Sequence, residues 1–402
     1  MMKQGGRILL KVLGCLAAVI SILFVGAVTA FITAFMGGQK FYAPLALAVT
    51  GILILFVIAR TFLPGRAAAV NYVLLGCIAA CGVAVGVYEI NQAYHNSFAI
   101  VSDQDVDLEQ YRPFQNNGEV AVLAEPSSLT LLEDLPKMDG ATALYPLYSA
   151  FAQAVYPRKE YALYDSEVMA NTTPGAYKNL LDGRADVIFT AAPSSLQLAQ
   201  AKRQGLELKL TPIGREAFVF FVHADNPVQG LSTQQIQAIY AGEITDWSEV
   251  GGGSGKIRAF QRPEGSGSQT MLQKLMEGKE LMAPPQKDVV SGMGGIIAQT
   301  ADYRNYPNAL GYSFLFFATE MAQNGQIRLL EIDGVKPDKT TIRSGEYPLA
   351  AEFYAVTAGS DNPNVSRLIE WILSPQGQAL VEKTGYTPIS PASDIDMENE
   401  DR

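Results

Sequence analysis

The segment with the most distinctive chemistry runs from residue 262 to residue 270 and reads RPEGSGSQT. Glycines let backbone N–H groups approach an anion closely, and a helix that begins after such a loop directs more N–H groups and its positive dipole end at the same point. An arginine adds a planar fork of donors that matches an oxyanion. The pattern predicts a site for a small oxyanion, with phosphate favoured, although Gly/Ser runs are also common in plain loops. Its candidate residues are Arg262, Ser266, Gly267 and Ser268.

Charge is distributed unevenly along the 402 residues. Residues 1–93 contain six of the 30 Lys/Arg and one of the 40 Asp/Glu residues, so the rest of the chain is strongly acidic. An acidic soluble part argues against binding to nucleic acid or to anionic lipid surfaces. An anionic ligand must therefore be held by local dipoles and one or two cations.

The residues that usually carry metal or covalent chemistry are scarce. The three cysteines, Cys15, Cys77 and Cys81, all lie in the first 93 residues, and the two histidines, His95 and His223, are far apart in sequence. The soluble part therefore offers no disulfide framework, thiol nucleophile or Cys/His metal site. We expect no cofactor and no metal, and we expect the chain not to be an enzyme, because a convincing triad is also missing.

Three uncharged apolar stretches, residues 12–36, 41–59 and 67–88, are each about long enough to cross a bilayer as a helix. We therefore expect residues 1–93 to be a membrane anchor with three transmembrane helices. Five basic residues flank these stretches on the N-terminal side of the membrane, and only Lys40 lies on the other side. The five are Lys3, Arg7, Lys11, Arg60 and Arg66. The positive-inside rule then places the N-terminus in the cytoplasm and the residues after about 93 outside the cell.

The N-terminus also has features of a lipoprotein signal and of a cleaved signal peptide. Residues 12–15 read VLGC, which is similar to a lipoprotein cleavage box, but the apolar run follows the cysteine instead of preceding it. The first stretch could also be a cleaved signal peptide, but it is long and two more spans follow it. A retained anchor is favoured over both.

The soluble part has the alternating pattern of an α/β domain. Residues 94–118 are polar and are expected to form a linker, and residues 391–402 a disordered tail. Strands are predicted at 119–123, 186–190, 217–223, 311–316 and 352–357. Helices are predicted at 144–156, 232–240, 269–277 and 365–373, with a further helix over 374–383 after a break at Pro375. Ser232 and Gln235 have the spacing of a capping box.

Six segments resemble, in the same order, those of the PstS-type phosphate-binding proteins of bacterial ABC importers, within the type II periplasmic-binding-protein fold. The resemblance covers residues 135–390. The segments are 139–148 (DGATALYPLY), 231–247 (LSTQQIQAIYAGEITDW), 262–270, 309–312 (ALGY), 374–378 (SPQGQ) and 385–388 (GYTP).

This resemblance implies a two-lobed clamp that holds its anion in the cleft and closes by a hinge motion. One lobe would comprise residues 119–213 plus 346–390, and the other residues 214–345. By position in the matching motifs, Thr142 would donate a hydrogen bond to the anion from its hydroxyl, and Ala143 from its backbone N–H. Thr172 or Thr173 would donate from both groups. Arg262, Ser266, Gly267 and Ser268 match the arginine loop of the family.

One departure from the family concerns anion selectivity. The best-known members end a strand with an aspartate that accepts the proton of hydrogen phosphate, and the matching position here is Ala191. Thr190 could contact the ligand, but a hydroxyl both donates and accepts, so it would tolerate a fully deprotonated anion. Glu264 could stand in for the aspartate, although ion pairing or exposure to solvent is favoured for it.

The sequence thus predicts a membrane-anchored, extracellular substrate-binding protein that captures inorganic phosphate or a similar oxyanion for an ABC permease. The alternative is an extracellular anion sensor that signals through a membrane partner. The expected partners are the anion, a permease in the membrane and the lipid bilayer around the N-terminal spans, with no nucleic acid.

Overall fold

The computed structural model describes residues 2–97, 100–101, 106–115, 118–262, 264–283, 303–321 and 326–389. The described residues form two compact units, one that ends at residue 97 and one that begins at residue 100. The predicted tail at 391–402 lies outside the described residues.

The N-terminal unit consists of three long helices, α1 (Met2–Phe35), α2 (Tyr42–Phe62) and α3 (Ala67–Asn96). Each is long and apolar enough to cross a membrane, which confirms the three predicted apolar helices. The third continues past residue 88, where the apolar stretch ends, to Asn96, so the first three residues of the predicted linker, 94–96, are helical.

Close packing joins these helices to each other. A methyl group on Gly26 of α1 would lie 2.0 Å from the Thr50 hydroxyl oxygen of α2, so a larger residue at position 26 would force the helices apart. At the other contact, the Phe41 ring stacks on the Tyr88 ring with their centroids 4.0 Å apart. Small residues that allow close approach and aromatic clusters near helix ends are both typical of membrane helices.

The second unit is a mixed α/β structure, as predicted from the alternating pattern. Its helices are α4 (Tyr145–Val155), α5 (Thr172–Leu181), α6 (Ser195–Arg203), α7 (Thr233–Tyr240), α8 (Gly267–Leu275), α9 (Lys339–Ser344), α10 (Asn364–Ile372) and α11 (Pro375–Thr384). Its strands are β1 (Ile100–Val101), β2 (Met138–Gly140), β3 (Val187–Thr190), β4 (Lys209–His223), β5 (Gly230–Leu231), β6 (Arg258–Ala259), β7 (Tyr303–Arg304), β8 (Ala309–Phe314), β9 (Ile327–Leu329), β10 (Glu331–Ile332) and β11 (Ala350–Thr357).

The long strand β4 belongs to two half-sheets. Residues 209–217 pair antiparallel with β11, which continues to β3 and then to β2; this is the first half-sheet. Residues 218–222 pair antiparallel with β8, which pairs parallel with β6, and β9 also joins β4 here; this is the second half-sheet. Helices α4 to α6 connect strands of the first half-sheet, and α8 follows β6 of the second. Helices α7 and α9 follow β5 and β10, which pair parallel with each other in a separate two-stranded sheet.

Each half-sheet has its own core. In the second, the Phe218, Phe220, Tyr240 and Tyr312 rings pack with centroids 5.1–6.0 Å apart, and all four side chains are buried. In the first, Phe151 of α4 packs on Phe189 of β3 and on Trp371 of α10. Aromatic packing of this kind buries a large apolar area at two separate places, so each half-sheet is stabilised independently.

Local sequence signals fix where several helices begin. Ser232 and Gln235 form the predicted capping box at the start of α7. The same arrangement of Ser194 and Gln197 opens α6. The break between α10 and α11 falls at Ser374, just before Pro375, as predicted.

The strand predicted at 119–123 is wrong, because this segment has no strand partner. Its backbone is held by other groups: the Glu119 N–H donates to the Gln110 carbonyl (3.0 Å), and the Val122 carbonyl accepts from the Lys383 ammonium (3.2 Å). The alternation of apolar side chains reflects burial of Val120 alone, which is too little to specify pairing with a sheet edge.

Candidate functional site

The loop that follows β6 leads directly into a helix N-terminus, as its sequence predicts. Ser266 is the N-cap of α8, and its hydroxyl accepts a hydrogen bond from the Gln269 N–H (3.3 Å). Helix α8 begins at Gly267, two residues earlier than predicted. The N–H groups of the first turn have no acceptor inside a helix, so those of Gly267 and Ser268 are suited to an anion. Gly265, which precedes them, has a positive φ of 81° that favours glycine.

Arg262 is anchored through its backbone. Its N–H donates to the Tyr312 hydroxyl of β8 (2.8 Å) and to the side-chain oxygen of Gln269 in α8 (2.9 Å). Tyr312 in turn donates its own proton to Gln269, and both side chains are buried. This network fixes the start of the loop relative to β8 and α8, while the Arg262 side chain remains partly exposed.

Thr142 and Ala143 lie in a short helical turn, 142–144, between β2 and α4. The turn is attached to the first half-sheet because the Ala141 N–H donates to the Phe189 carbonyl (2.9 Å). The Tyr386 hydroxyl donates to the Ala143 carbonyl. Thr142 is buried and stands at the N-terminal end of the turn, as expected for a residue that presents its hydroxyl beside backbone N–H groups.

Thr172 and Thr173 open helix α5. Thr172 has a φ of 60°, which few non-glycine residues adopt, and its side chain is exposed. Thr173 is buried. A non-glycine residue in the left-handed region costs on the order of 1–3 kcal/mol and is often found where a loop has a function.

A buried carboxylate, Asp139, joins these two loops. It accepts hydrogen bonds from the Gly140 N–H (2.8 Å), the Asn171 N–H (2.9 Å), the Asn171 side-chain amide (2.9 Å) and the Asn179 side-chain amide (2.7 Å). Burial raises the pKa of Asp139, and the donated hydrogen bonds oppose that shift. Because it accepts from Gly140, in the 140–143 loop, and from Asn171, the residue before Thr172, Asp139 positions both segments. Its sequence signal is weak, an acid next to a loop glycine, and its role was not predicted.

Thr190, at the end of β3, is fully buried in the first half-sheet. Its hydroxyl donates to the Tyr177 hydroxyl (3.2 Å), and Tyr177 donates to the Ala191 carbonyl (3.3 Å). The Thr190 proton is therefore used inside this core, and a contact with a ligand stays a prediction.

The loops from the two half-sheets meet at Gly267. A methyl group placed there would lie 3.5 Å from the Ala191 Cβ and 3.6 Å from the Thr173 hydroxyl oxygen. Beside it, the Gln197 amide of α6 donates to the Gly265 carbonyl (3.2 Å). The structure thus brings Thr173 and Ala191 together with the 265–268 loop. Asp139 links the loop that carries Thr142 and Ala143 to the start of α5, which carries Thr173. Glu264 is exposed.

A separate cavity of about 740 Å³ lies between residues of the two half-sheets. It is lined by charged groups of both signs, among them Arg215, Glu216, Lys339 and Lys383. Glu216, on β4, accepts a hydrogen bond from the Phe316 N–H (2.6 Å), and burial raises its pKa to about 8. None of the predicted ligand residues lines this cavity.

The family model for the PBP superfamily domain matches residues 134–376, more than half of the chain. The chain therefore belongs to the PBP superfamily, whose mixed α/β fold agrees with the two half-sheets. The PstS-type proteins that its segments resemble are among the relatives that it matches.

Individual relatives show the extent of this similarity. The chain is 26% identical to the phosphate-binding protein PstS of Bacillus subtilis over 258 residues, which is 63% of this chain and 80% of the relative. It is 26% identical to the phosphate-binding protein PstS of Borreliella burgdorferi over 217 residues, which is 52% of this chain and 76% of the relative. A solved ABC-type phosphate transport receptor from Vibrio cholerae aligns with a TM-score of 0.45 at 19% identity, covering 62% of this chain and 98% of that one.

Proposed function

We propose that this protein is a membrane-anchored substrate-binding protein that captures inorganic phosphate, or a closely similar oxyanion, for an ABC permease. The observation that carries the proposal is the convergence at Gly267: the N-terminus of α8 and the Arg262 loop face Thr173 and Ala191 from the other half-sheet. A helix N-terminus with an arginine beside it binds anions by geometry and charge together. The names of the relatives, phosphate-binding proteins, indicate which anion.

We assign the two half-sheets to two lobes with a cleft between them. The first lobe comprises residues 119–213 plus 346–390, and the second residues 214–345. Two chain crossings lie within a few residues of these boundaries. Strand β4 leaves the first half-sheet between Ala217 and Phe218, and the return follows α9, where the Phe218 N–H donates to the Leu349 carbonyl (2.9 Å). Two adjacent crossings are suited to hinge closure around a ligand.

In this proposal the ligand contacts come from three places. Arg262, with Ser266, Gly267 and Ser268, supplies the cation, hydroxyls and helix N–H groups of the second lobe. Thr142 and Ala143, and Thr172 and Thr173, supply donors from the first lobe, held in register by Asp139. Thr190 would contribute an oxygen acceptor at most. The chemistry is capture and release, with no covalent step.

The three N-terminal helices would hold this binding part at the membrane. Many of their large apolar side chains are exposed, including Phe24, Phe31 and Phe35 on α1, and such surfaces are stable in lipid. With the basic residues on the cytoplasmic side, the binding part lies outside the cell, where it can meet its anion before a permease does. An anion sensor, the alternative left open by the sequence, would use the same binding step.

Replacement of Arg262 tests the proposal. Arg262→Ala removes the cation from the loop, and we expect the phosphate dissociation constant to rise at least about 100-fold, because a charge-assisted contact to a desolvated anion contributes about 3 kcal/mol. Isothermal titration of the full chain in detergent measures it. The matched control is Lys274→Ala, which removes one exposed positive charge from the last turn of the same helix, α8. Unchanged phosphate affinity in a folded Arg262→Ala protein would refute the site.

A further inference from the structure

We propose that Gln197 is a closure latch, whose side-chain amide holds the two lobes together over the anion by donating a hydrogen bond to the Gly265 carbonyl. The inference rests on the proposed function. Gln197 belongs to α6 in the first lobe, and Gly265 to the arginine loop of the second, 68 residues away. Gln197 is 4% exposed, so this hydrogen bond is shielded from water.

The Gln197 side chain is oriented by its own helix. Its oxygen accepts a hydrogen bond from the Ser194 N–H (2.8 Å), and the Ser194 hydroxyl accepts one from the Gln197 N–H (3.3 Å). This capping box fixes which end of the amide faces the helix. The amide nitrogen is therefore left to face the other lobe, and its donation to Gly265 (3.2 Å) requires little further loss of side-chain freedom.

The acceptor, the Gly265 carbonyl, belongs to the loop that is proposed to bind the anion. Gly265 stands three residues after Arg262 and directly before Ser266, the cap of α8. A methyl group on Gly265 would lie 3.8 Å from the Gln197 amide nitrogen and 3.9 Å from Cγ of Pro174. The second lobe can thus reach Gln197 only when the loop also reaches the 173–174 turn and Ala191, which is the arrangement that encloses the anion.

A latch of this kind predicts how fast the ligand leaves, because the Gln197–Gly265 contact must break before the anion can escape. Gln197→Glu keeps an oxygen for the cap, since Glu also serves in capping boxes, but it turns an oxygen toward the Gly265 carbonyl. Gln197→Met removes the donor without adding charge. We expect radiolabelled phosphate to dissociate from the full chain at least about tenfold faster in Gln197→Glu and about fivefold faster in Gln197→Met, with association little changed.

Ser194→Ala is the matched control, because it removes the hydroxyl that caps α6 and retains the Gln197 donor to the Gly265 carbonyl. We expect it to lower the melting temperature while phosphate dissociates at the wild-type rate. If all three variants dissociate like the wild type, while Arg262→Ala still weakens phosphate binding at least about 100-fold, the latch is wrong and the proposed function stands.

A second measurement does not depend on phosphate. In the ligand-free full chain, hydrogen exchange read by mass spectrometry should show faster exchange of peptides that contain residues 264–268 in Gln197→Met, and no change there in Ser194→Ala. Unchanged exchange in Gln197→Met would overturn the latch whatever the ligand. If phosphate fails to bind the wild type but exchange responds as expected, the latch stands and the anion assignment falls.

Discussion

At the scale of single residues, three side chains have different roles in the proposed site. Arg262 would supply the charge, Asp139 positions the two loops of the first half-sheet, and Gln197 is the proposed latch. Asp139 is buried and accepts four hydrogen bonds, so it offers nothing further to a ligand. Its carboxylate sets the relative position of the 140–143 loop and the 171–173 turn.

Ala191 is where anion selectivity can be tested. Its Cβ lies 3.5 Å from where a methyl group on Gly267 would lie, so an aspartate there would reach the first turn of α8. An aspartate introduced by Ala191→Asp would accept a hydrogen bond from hydrogen phosphate. It would repel sulfate, which carries no proton at neutral pH. We expect the ratio of phosphate to sulfate affinity to rise about tenfold, as one charge-assisted hydrogen bond allows. Competitive titration of the two anions measures this ratio.

Ala191→Ser is the control for this test, because a hydroxyl adds a polar group of similar size that donates as well as accepts. It should leave the ratio nearly unchanged. An unchanged ratio in Ala191→Asp as well would mean that position 191 does not face the ligand's proton.

Sequence and structure differ in what each can reveal about such residues. The arginine loop has a local pattern, because a helix N-terminus and its glycines are adjacent in the chain. Asp139 and Gln197 have none, because their partners are 32 to 68 residues away and their roles follow from the packing of separate elements. The spacing of Ser194 and Gln197 is enough to predict the start of a helix. It does not predict that the Gln197 side-chain amide contacts Gly265 of the other half.

At the scale of elements, β4 links the two half-sheets and carries a buried acid at the crossing. Gly214 is required just before it, since a methyl group there would lie 2.3 Å from the Phe353 ring of β11. Glu216 follows, and its carboxyl accepts the Phe316 N–H of the second half-sheet (2.6 Å). The strand pattern predicted the second part of β4 correctly, but β4 begins eight residues before that prediction. Residues 209–216 include Pro212 and Gly214, which are disfavoured in strands, and they show no regular alternation of apolar and polar residues.

Glu216 gives the second unit a pH-dependent stability. Burial raises its pKa to about 8 in the folded chain, from an ordinary value of 4.5. Between these two values the folded chain holds a proton that the unfolded chain has lost. Unfolding then releases a proton, so the Glu216 contribution to the free energy of unfolding falls as pH rises, by up to about 1.4 kcal/mol per pH unit.

Glu216→Gln removes this term and retains an oxygen for Phe316. We expect the variant to gain about 3 kcal/mol of stability relative to the wild type between pH 5 and pH 7.5. Denaturant unfolding followed by tryptophan fluorescence measures it, since both tryptophans, Trp247 and Trp371, lie in the second unit. A difference that is the same at both pH values would show that Glu216 is ionised in the folded chain.

At the scale of the whole molecule, the three apolar helices favour lipid and the acidic second unit favours water. The helices expose large apolar side chains, and α3, with 30 residues, is about 45 Å long, more than a hydrocarbon core requires. Hydropathy alone predicted these helices. It could not predict the end of α3, because residues 89–96 are polar and helical.

The orientation of the chain in the membrane is testable by labelling. With Cys15, Cys77 and Cys81 replaced by alanine, a cysteine introduced at the exposed Ser195 should react with an impermeant maleimide in intact cells. A cysteine introduced at Gly65, in the turn between α2 and α3, should react only after the cells are permeabilised. The reverse pattern would contradict the proposed orientation and, with it, capture of an extracellular anion.

Calorimetric titration of the full chain in detergent with phosphate and then with sulfate, at two pH values, tests phosphate capture most directly. We expect saturable phosphate binding with one ligand per chain, which sulfate displaces only partly. Absence of phosphate binding to the folded protein would refute the proposed function, and equal binding of both anions would leave an oxyanion receptor without phosphate selectivity.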